Sequence, residues 1–415
     1  MENGTKPTEA APKRQGPNVV LQTLSTFIIF FNAWGLLLTA GVFQTYYEQV
    51  ALRDESSSII SWISTTCAFL TLATGAVTGA LYDRGFYRVL LLSGTLLQVF
   101  GLMMMSLCTE YYQFFLCQAI CVGVGAGISF TPSVAALAAC VTEPSARAKV
   151  MGLVACGSSV GGIVYPIMFR FLVPEIGFPW TVRIIGFLAL GLDLISYLPL
   201  LSHQKQPAGR RPFFDPSTLT DLPFMLLCVA SICSATAYYI PFIYLPLVTA
   251  ERIPSVGADF GFDLLAIVNG SSAFGRIMGG LAAAKFGPTE TICVCLCFGS
   301  ILLFCWIAVG TIAGTIAWSV FWGITSGVLV ALPGAMVPLF CPSLAVVGTR
   351  SGMYWTFVGL GLLIGSPIGG AIHDGRSTAD STRWQMQVFA GVFMITAALL
   401  VVYPIVRLRR RNRAV

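Results

Sequence analysis

Apolar positions in this chain come in continuous blocks, not in alternation. Charges, prolines and glycines divide it into twelve runs, at about 24–45, 57–81, 89–108, 112–134, 149–172, 180–201, 222–247, 263–284, 291–310, 314–339, 352–373 and 385–406. Each is close to the roughly 20 residues that a helix needs to cross about 30 Å of hydrocarbon. A membrane barrel would instead show alternating segments of about ten residues. The pattern therefore predicts twelve spanning helices. One boundary takes argument. Residues 291–349 carry no charge over 59 positions, too many for one span, and Gly310–Gly314 is the only tight break, so a turn is placed there.

Composition sharpens this into a class. Hydrophobic residues make up 56 % of the 415, charged residues 10 %, and the mean hydropathy is +0.80. Soluble domains are about a quarter charged. A bilayer offers no hydrogen bonds to exposed backbone, so only helices or closed barrels span it. The expected fold is all-α and integral to the membrane, lying in a lipid bilayer.

Charge then orients it. If the amino terminus is cytoplasmic, 17 basic residues fall on the inner side, 6 on the outer side, and Arg276 within a span. Basic residues in short loops stay inside, so both termini are expected to be cytoplasmic, and the net charge of +6 reflects topology. Residues 1–18, with Pro7, Pro12 and Pro17, read as a disordered tail with no signal peptide. The basic stretch 407–415 beside a span reads as a cytoplasmic tail anchored to anionic lipid, not as a nucleic-acid patch.

The polar segment 202–221 divides the chain into a bundle at 19–201 and a bundle at 222–406. Shifted by 201 residues, Gly79 falls on Gly280, Arg84 on Lys285, Pro132 on Pro333 and Pro166 on Pro367. Two pseudo-symmetric six-helix bundles follow. Parallel repeats of this kind build transporters whose site lies between the halves near the midplane.

"GALYDRGFYR" (79–88), between spans 2 and 3, resembles the signature loop of the major facilitator superfamily (MFS). "GVFQTYYE" (41–48), "FPWTVRIIGF" (178–187), "NGSSAFGRIMGG" (269–280) and "GTRSGMYWTFVGL…IGSPIGGAI" (348–372) are similar to the monocarboxylate-porter family, especially its fungal branch. The resemblance implies the twelve-helix MFS fold, with the end of span 2 packed on the start of span 11 when the protein is open outward. Asp83 would then latch onto a helix N-terminus. Gly79, Gly85, Arg84, Arg88 and Arg350 complete this expected cytoplasmic gate. In the second loop Ala284 stands where the first has Asp83, so the latch is one-sided.

A charge at the bilayer centre costs roughly 2.5–3.5 kcal/mol and marks a pathway. Arg276, thirteen residues into span 8, is the leading anion anchor, because guanidinium binds carboxylate bidentately. The resemblance agrees, since monocarboxylate porters carry a substrate-binding Arg in span 8. Their animal members also carry an Asp one turn earlier, here Ser272, and a Lys in span 1, where no charge stands between Arg14 and Glu48. Proton-coupled lactate transport is thereby weakened and a bulkier organic anion is not. Asp193, deep in span 6, is either a proton site or a structural contact. Asn32, Tyr165, Asn269, Tyr239, Tyr244 and Tyr354 are further substrate-binding candidates, with Tyr238 and Trp355.

Thirteen cysteines and two histidines suggest no metal, and the cysteines read as small core residues. "GVGAG" (123–127) lacks the Lys-Ser/Thr of a phosphate loop. No ATP site, cofactor or catalytic cluster is expected. The reading is a non-enzymatic, monomeric secondary transporter of the plasma membrane. It moves a monocarboxylate-like anion or exports a secondary metabolite, as a proton symporter or otherwise. The alternatives are a non-transporting nutrient sensor and a vitamin uptake carrier.

Overall fold

A computed structural model describes residues 18–141, 144–197, 216–256, 258–341, 347–374 and 384–413. Residues 1–17, most of the 202–221 linker and the side chain of Asp83 lie outside the described set. Eleven helices among the described residues are long and apolar enough to cross a membrane. They begin with α1 (Val19–Ala51), α2 (Ser57–Asp83), α3 (Tyr87–Met105) and α4 (Tyr111–Leu137). The next run, Pro144–Ser196, is 53 residues long and breaks at Gly177, where φ is 75°. A left-handed φ strains any residue with a Cβ, so glycine sits at this reversal. The run is two spans, α5 at 144–176 and α6 at 178–196, which makes twelve.

The second half comprises α7 (Leu222–Arg252), α8 (Ala258–Phe286), α9 (Pro288–Cys305), α10 (Ile312–Ala331), α11 (Val347–Asp374) and α12 (Gln385–Arg413). Between α9 and α10 a short turn at Trp306–Ala308 precedes Thr311, whose hydroxyl accepts from the Gly314 amide at 3.1 Å and caps α10. The basic end continues α12 as helix through Arg413. Arg409 donates to Glu290 at the start of α9 (2.9 Å), and Arg411 donates to the Leu339 carbonyl (2.9 Å). These two guanidiniums brace the bundle.

With no hydrophobic drive between helices in lipid, close backbone packing and interhelical hydrogen bonds hold the bundle. A Cβ on Gly35 of α1 would lie 2.7 Å from Gly161 Cα of α5, so the two backbones touch. The halves meet along three pairs: α2 with α11, α5 with α8, and α1 with α7. The face holding Asn18 and Arg413, the first and last described residues, is the terminal face; the other is the far face.

Candidate functional site

Arg276 is 3 % exposed and lies on α8 against α5. Its guanidinium donates to the Ala155 carbonyl and to Ser158 Oγ, the latter at 2.5 Å, so it spans the boundary between the halves. Its Nε has no partner. No carboxylate among the described residues pairs with it. One neutral hydroxyl and one carbonyl leave this cation without a counter-charge in a medium where that is costly.

Asn32, Tyr165 and Asp193 come together inside the first half. Asp193 accepts from Asn32 Nδ2 at 2.6 Å and from Thr95 Oγ1 at 2.8 Å. Tyr165 donates its hydroxyl to Asn32 Oδ1 at 2.7 Å, and Asn32 also donates to the Ala189 carbonyl. Both carboxylate oxygens of Asp193 are occupied, and the chain ties α1, α3, α5 and α6 together. This is the arrangement of a buried brace.

The remaining candidates are spread out. Asn269 donates to the Gly162 carbonyl at 3.0 Å, across the same α5–α8 seam as Arg276, and its Oδ1 is unpartnered. Tyr239 donates to the Leu37 carbonyl at 2.7 Å and Tyr244 to that of Ser366 at 3.0 Å. Those hydroxyls fasten α7 to α1 and to α11. Tyr354 is buried and sets its ring edge-on to Trp355, 5.9 Å away. Tyr239 also closes a narrow cavity in the first half, lined by Leu36, Phe43, Ser64, Leu102 and Gln118.

The far face is sealed between halves. Arg170 of α5 is ion-paired with Asp263 of α8, and Ser58 of α2 donates to the Pro367 carbonyl of α11 at 2.7 Å. Phe169 meets Phe262 edge-on at 6.5 Å. A Cβ on Gly152 or Gly280 would meet nothing within 4 Å, whereas one on Gly162 would press on Asn269 at 2.6 Å.

At the terminal face, Gly85 takes φ 88° and ends α2 with two backbone bonds, Gly85 N to Tyr82 O (2.8 Å) and Phe86 N to Leu81 O (3.2 Å). This is the left-handed helix stop that glycine favours. Arg84 and Arg88 are exposed beside it, and a Cβ on Gly79 would rest 3.7 Å from Thr131. Arg350 lies within the second half, not between halves. It is 2 % exposed, pairs with Asp221 at 2.6 Å, donates to the Phe340 carbonyl at 2.6 Å and sits over the Phe224 ring. It joins the starts of α11 and α7.

Sequence reasoning did not find Asp263, Thr95, Ser158 or Asp221. Each is an ordinary polar residue near or within a span, and only the partner across the fold marks it.

The comparisons agree with this architecture. A model of the Major Facilitator Superfamily matches residues 23–277. The chain is 37 % identical to "MFS-type transporter dbaD" of Emericella nidulans, over 92 % of this chain and 84 % of that one. It is 32 % identical to the "Fujikurins efflux protein" of Gibberella fujikuroi, over 96 % and 85 %. It is also 32 % identical to "Agnestins efflux protein AgnL12" of Paecilomyces divaricatus, over 89 % and 84 %. In fold it is similar to the nucleoside transporter NupG, with a TM-score of 0.67 at 16 % identity, covering 94 % of this chain and 99 % of that one. With its broken fifth–sixth run, its paired halves and these relatives, the chain belongs to the Major Facilitator Superfamily.

Proposed function

We propose that this transporter exports an organic anion by alternating access, with Arg276 as the anchor for the cargo's negative group. The carrying observation is the buried guanidinium at the α5–α8 boundary, hydrogen-bonded to Ala155 and Ser158 but matched by no acid among the described residues. An anion arriving in the seam competes for the same N–H groups. Binding would then weaken the α8-to-α5 bonds, which gives cargo a differential grip on two arrangements of the halves, as any coupled conformational change requires. Relatives named as efflux proteins for fujikurins and agnestins support the outward direction and a secondary-metabolite cargo. The motifs at 269–280 and 348–372 support the monocarboxylate-porter branch. The excess of basic residues on one side supports cytoplasmic termini, and a plasma-membrane location follows from export. Asp193 serves as a structural brace, so proton coupling, where present, does not run through it.

The test is flux of organic acids from proteoliposomes carrying the wild type, Arg276→Lys or Arg276→Ala, with and without a pH gradient. Wild-type flux of anionic cargo, retained in part by Lys and lost by at least about tenfold with Ala, is expected from losing a charge-assisted contact. Equal flux in wild type and Arg276→Ala would make Arg276 a structural residue and overturn the reading.

A further inference from the structure

We propose that Cys108 and Cys117 are the two ends of a disulfide that closes across the α3–α4 turn at the far face, once that face meets an oxidising medium. The inference concerns a covalent modification and does not depend on Arg276 or on the cargo. Its oxidising side follows from the cytoplasmic termini proposed above, since disulfides persist outside the cytosol. The two sulfurs stand 3.6 Å apart, in contact but not bonded. Cys108 lies in the irregular stretch between α3 and α4, flanked by the exposed Leu107 and Thr109. Cys117 lies in the second turn of α4, within a π-helical segment at Phe115–Val122. Both are half-buried, and neither is sealed inside the bundle.

The backbone around the pair is already held. A Cβ on Gly101 of α3 would lie 2.7 Å from the Cys117 carbonyl oxygen, so α3 meets α4 at this residue. The Thr109 and Glu110 amides donate to Gln113 Oε1 at 2.8 and 3.2 Å and clamp the turn. Tyr47 of α1 donates to Gln118 Oε1 at 2.6 Å, and its hydroxyl lies 3.4 Å from Met105 Sδ. The first helix thus docks on residues beside both cysteines. In this frame rotation of the two side chains brings the sulfurs to bonding distance. The bond ties the outer ends of α3 and α4 beneath the seat of Tyr47. The chemistry is exchange with a low-molecular-weight disulfide in the medium. The Cys108 thiol gives its proton to water, and the thiolate attacks one sulfur of the external disulfide and expels a thiolate. The Cys117 thiolate, formed in the same way, then attacks the Cys108 sulfur and expels the second. The expelled thiolates take up the two protons, so the cysteine pair is oxidised and the external disulfide is reduced to two thiols. Burial, with the neighbouring Cys117 thiol, pushes the Cys108 thiol up to about 12. The dithiol form therefore gains nothing from ionisation near neutral pH. Closure is slow, and the closed form resists reduction.

The test incubates the purified full chain in nanodiscs with oxidised glutathione, then denatures, alkylates and maps it by mass spectrometry without reduction. A peptide linking Cys108 to Cys117 is expected, forming faster at higher pH. Cys121, one turn further along α4, is the competing partner, and Cys121→Ser should keep the link. Cys108→Ser and Cys117→Ser should each carry glutathione on the remaining cysteine. The oxidised wild type should unfold a few degrees above the reduced one, and the double Ser variant should show no such difference. Protein from cells quenched in acid should carry the same link. No Cys108–Cys117 peptide after exposure to oxidised glutathione, or a link through Cys121 instead, would overturn the pair. A link that forms in nanodiscs while quenched cells hold both thiols free would overturn the claim that the far face meets an oxidising medium.

Discussion

Arg170 and Asp263 form an ion pair that joins α5 of the first half to α8 of the second at the far face. Under the alternating access proposed above, such a pair breaks and reforms as the halves rock. Both side chains are partly exposed, at 30 % and 41 %, and exposed pairs contribute about 0–1 kcal/mol. Asp263→Asn should therefore raise far-face opening by no more than about fivefold. The readout is the labelling rate of a cysteine placed at Ser58, which lies on α2 against α11 at the same face. Arg170→Asp with Asp263→Arg should return the rate to that of the wild type. A labelling rate that ignores both changes would separate the pair from the gate.

A second prediction concerns Asp193. Its two oxygens hold Asn32 and Thr95. Asp193→Leu leaves buried donors without acceptors and should cost about 3 kcal/mol or more, seen as a large fall in Tm. Asp193→Asn still offers an acceptor oxygen and should fold with a smaller loss. Its flux should keep whatever dependence on the pH gradient the wild type has. Loss of that dependence in a stable Asn variant would make Asp193 a proton carrier after all.

The sequence carried the architecture well because span length and charge placement are direct consequences of the bilayer. The twelve runs, the break between α9 and α10 and the reversal between α5 and α6 all follow from apolar length and from glycine or proline at the breaks. Long-range polar pairing was not legible. Arg350 stands at the start of α11, but its partner Asp221 is 129 residues away at the cap of α7, and the pairing could not be read from the sequence. The contacts of the basic end with Glu290 and the Leu339 carbonyl were not legible either, because a sequence does not show which groups lie within reach. Arg276 was identifiable from its depth alone, but its use of α5 carbonyl and hydroxyl groups was not.

Arg350 supplies a third prediction. It is almost wholly buried, and breaking a buried pair by removing one partner costs about 3–5 kcal/mol. Arg350→Ala should lower Tm strongly, and Asp221→Ala should do so by a comparable amount, with the double variant less than additive. Independent, additive losses in thermal scans would mean that the two residues do not act as a unit.

A fourth concerns α1 and α5. Gly35→Val places a branched side chain where a Cβ would already stand 2.7 Å from Gly161 Cα. Overpacking typically costs about 1–3 kcal/mol, and backbone cannot yield as a flexible side chain can. The variant should show a lower yield of folded protein by size-exclusion chromatography. Gly280→Val, where a Cβ meets nothing within 4 Å, should leave the yield unchanged.

The central claim is that the guanidinium of Arg276 recognises the negative charge of the cargo. The most direct measurement compares 2-naphthoate with its neutral amide, 2-naphthamide, in calorimetric titrations of wild type and Arg276→Ala. A charge-assisted contact contributes about 1.5–3 kcal/mol, so the wild type should bind the acid at least about tenfold more tightly than the amide, and the Ala variant should bind the two alike. The same acid-to-amide ratio in both proteins would contradict the account.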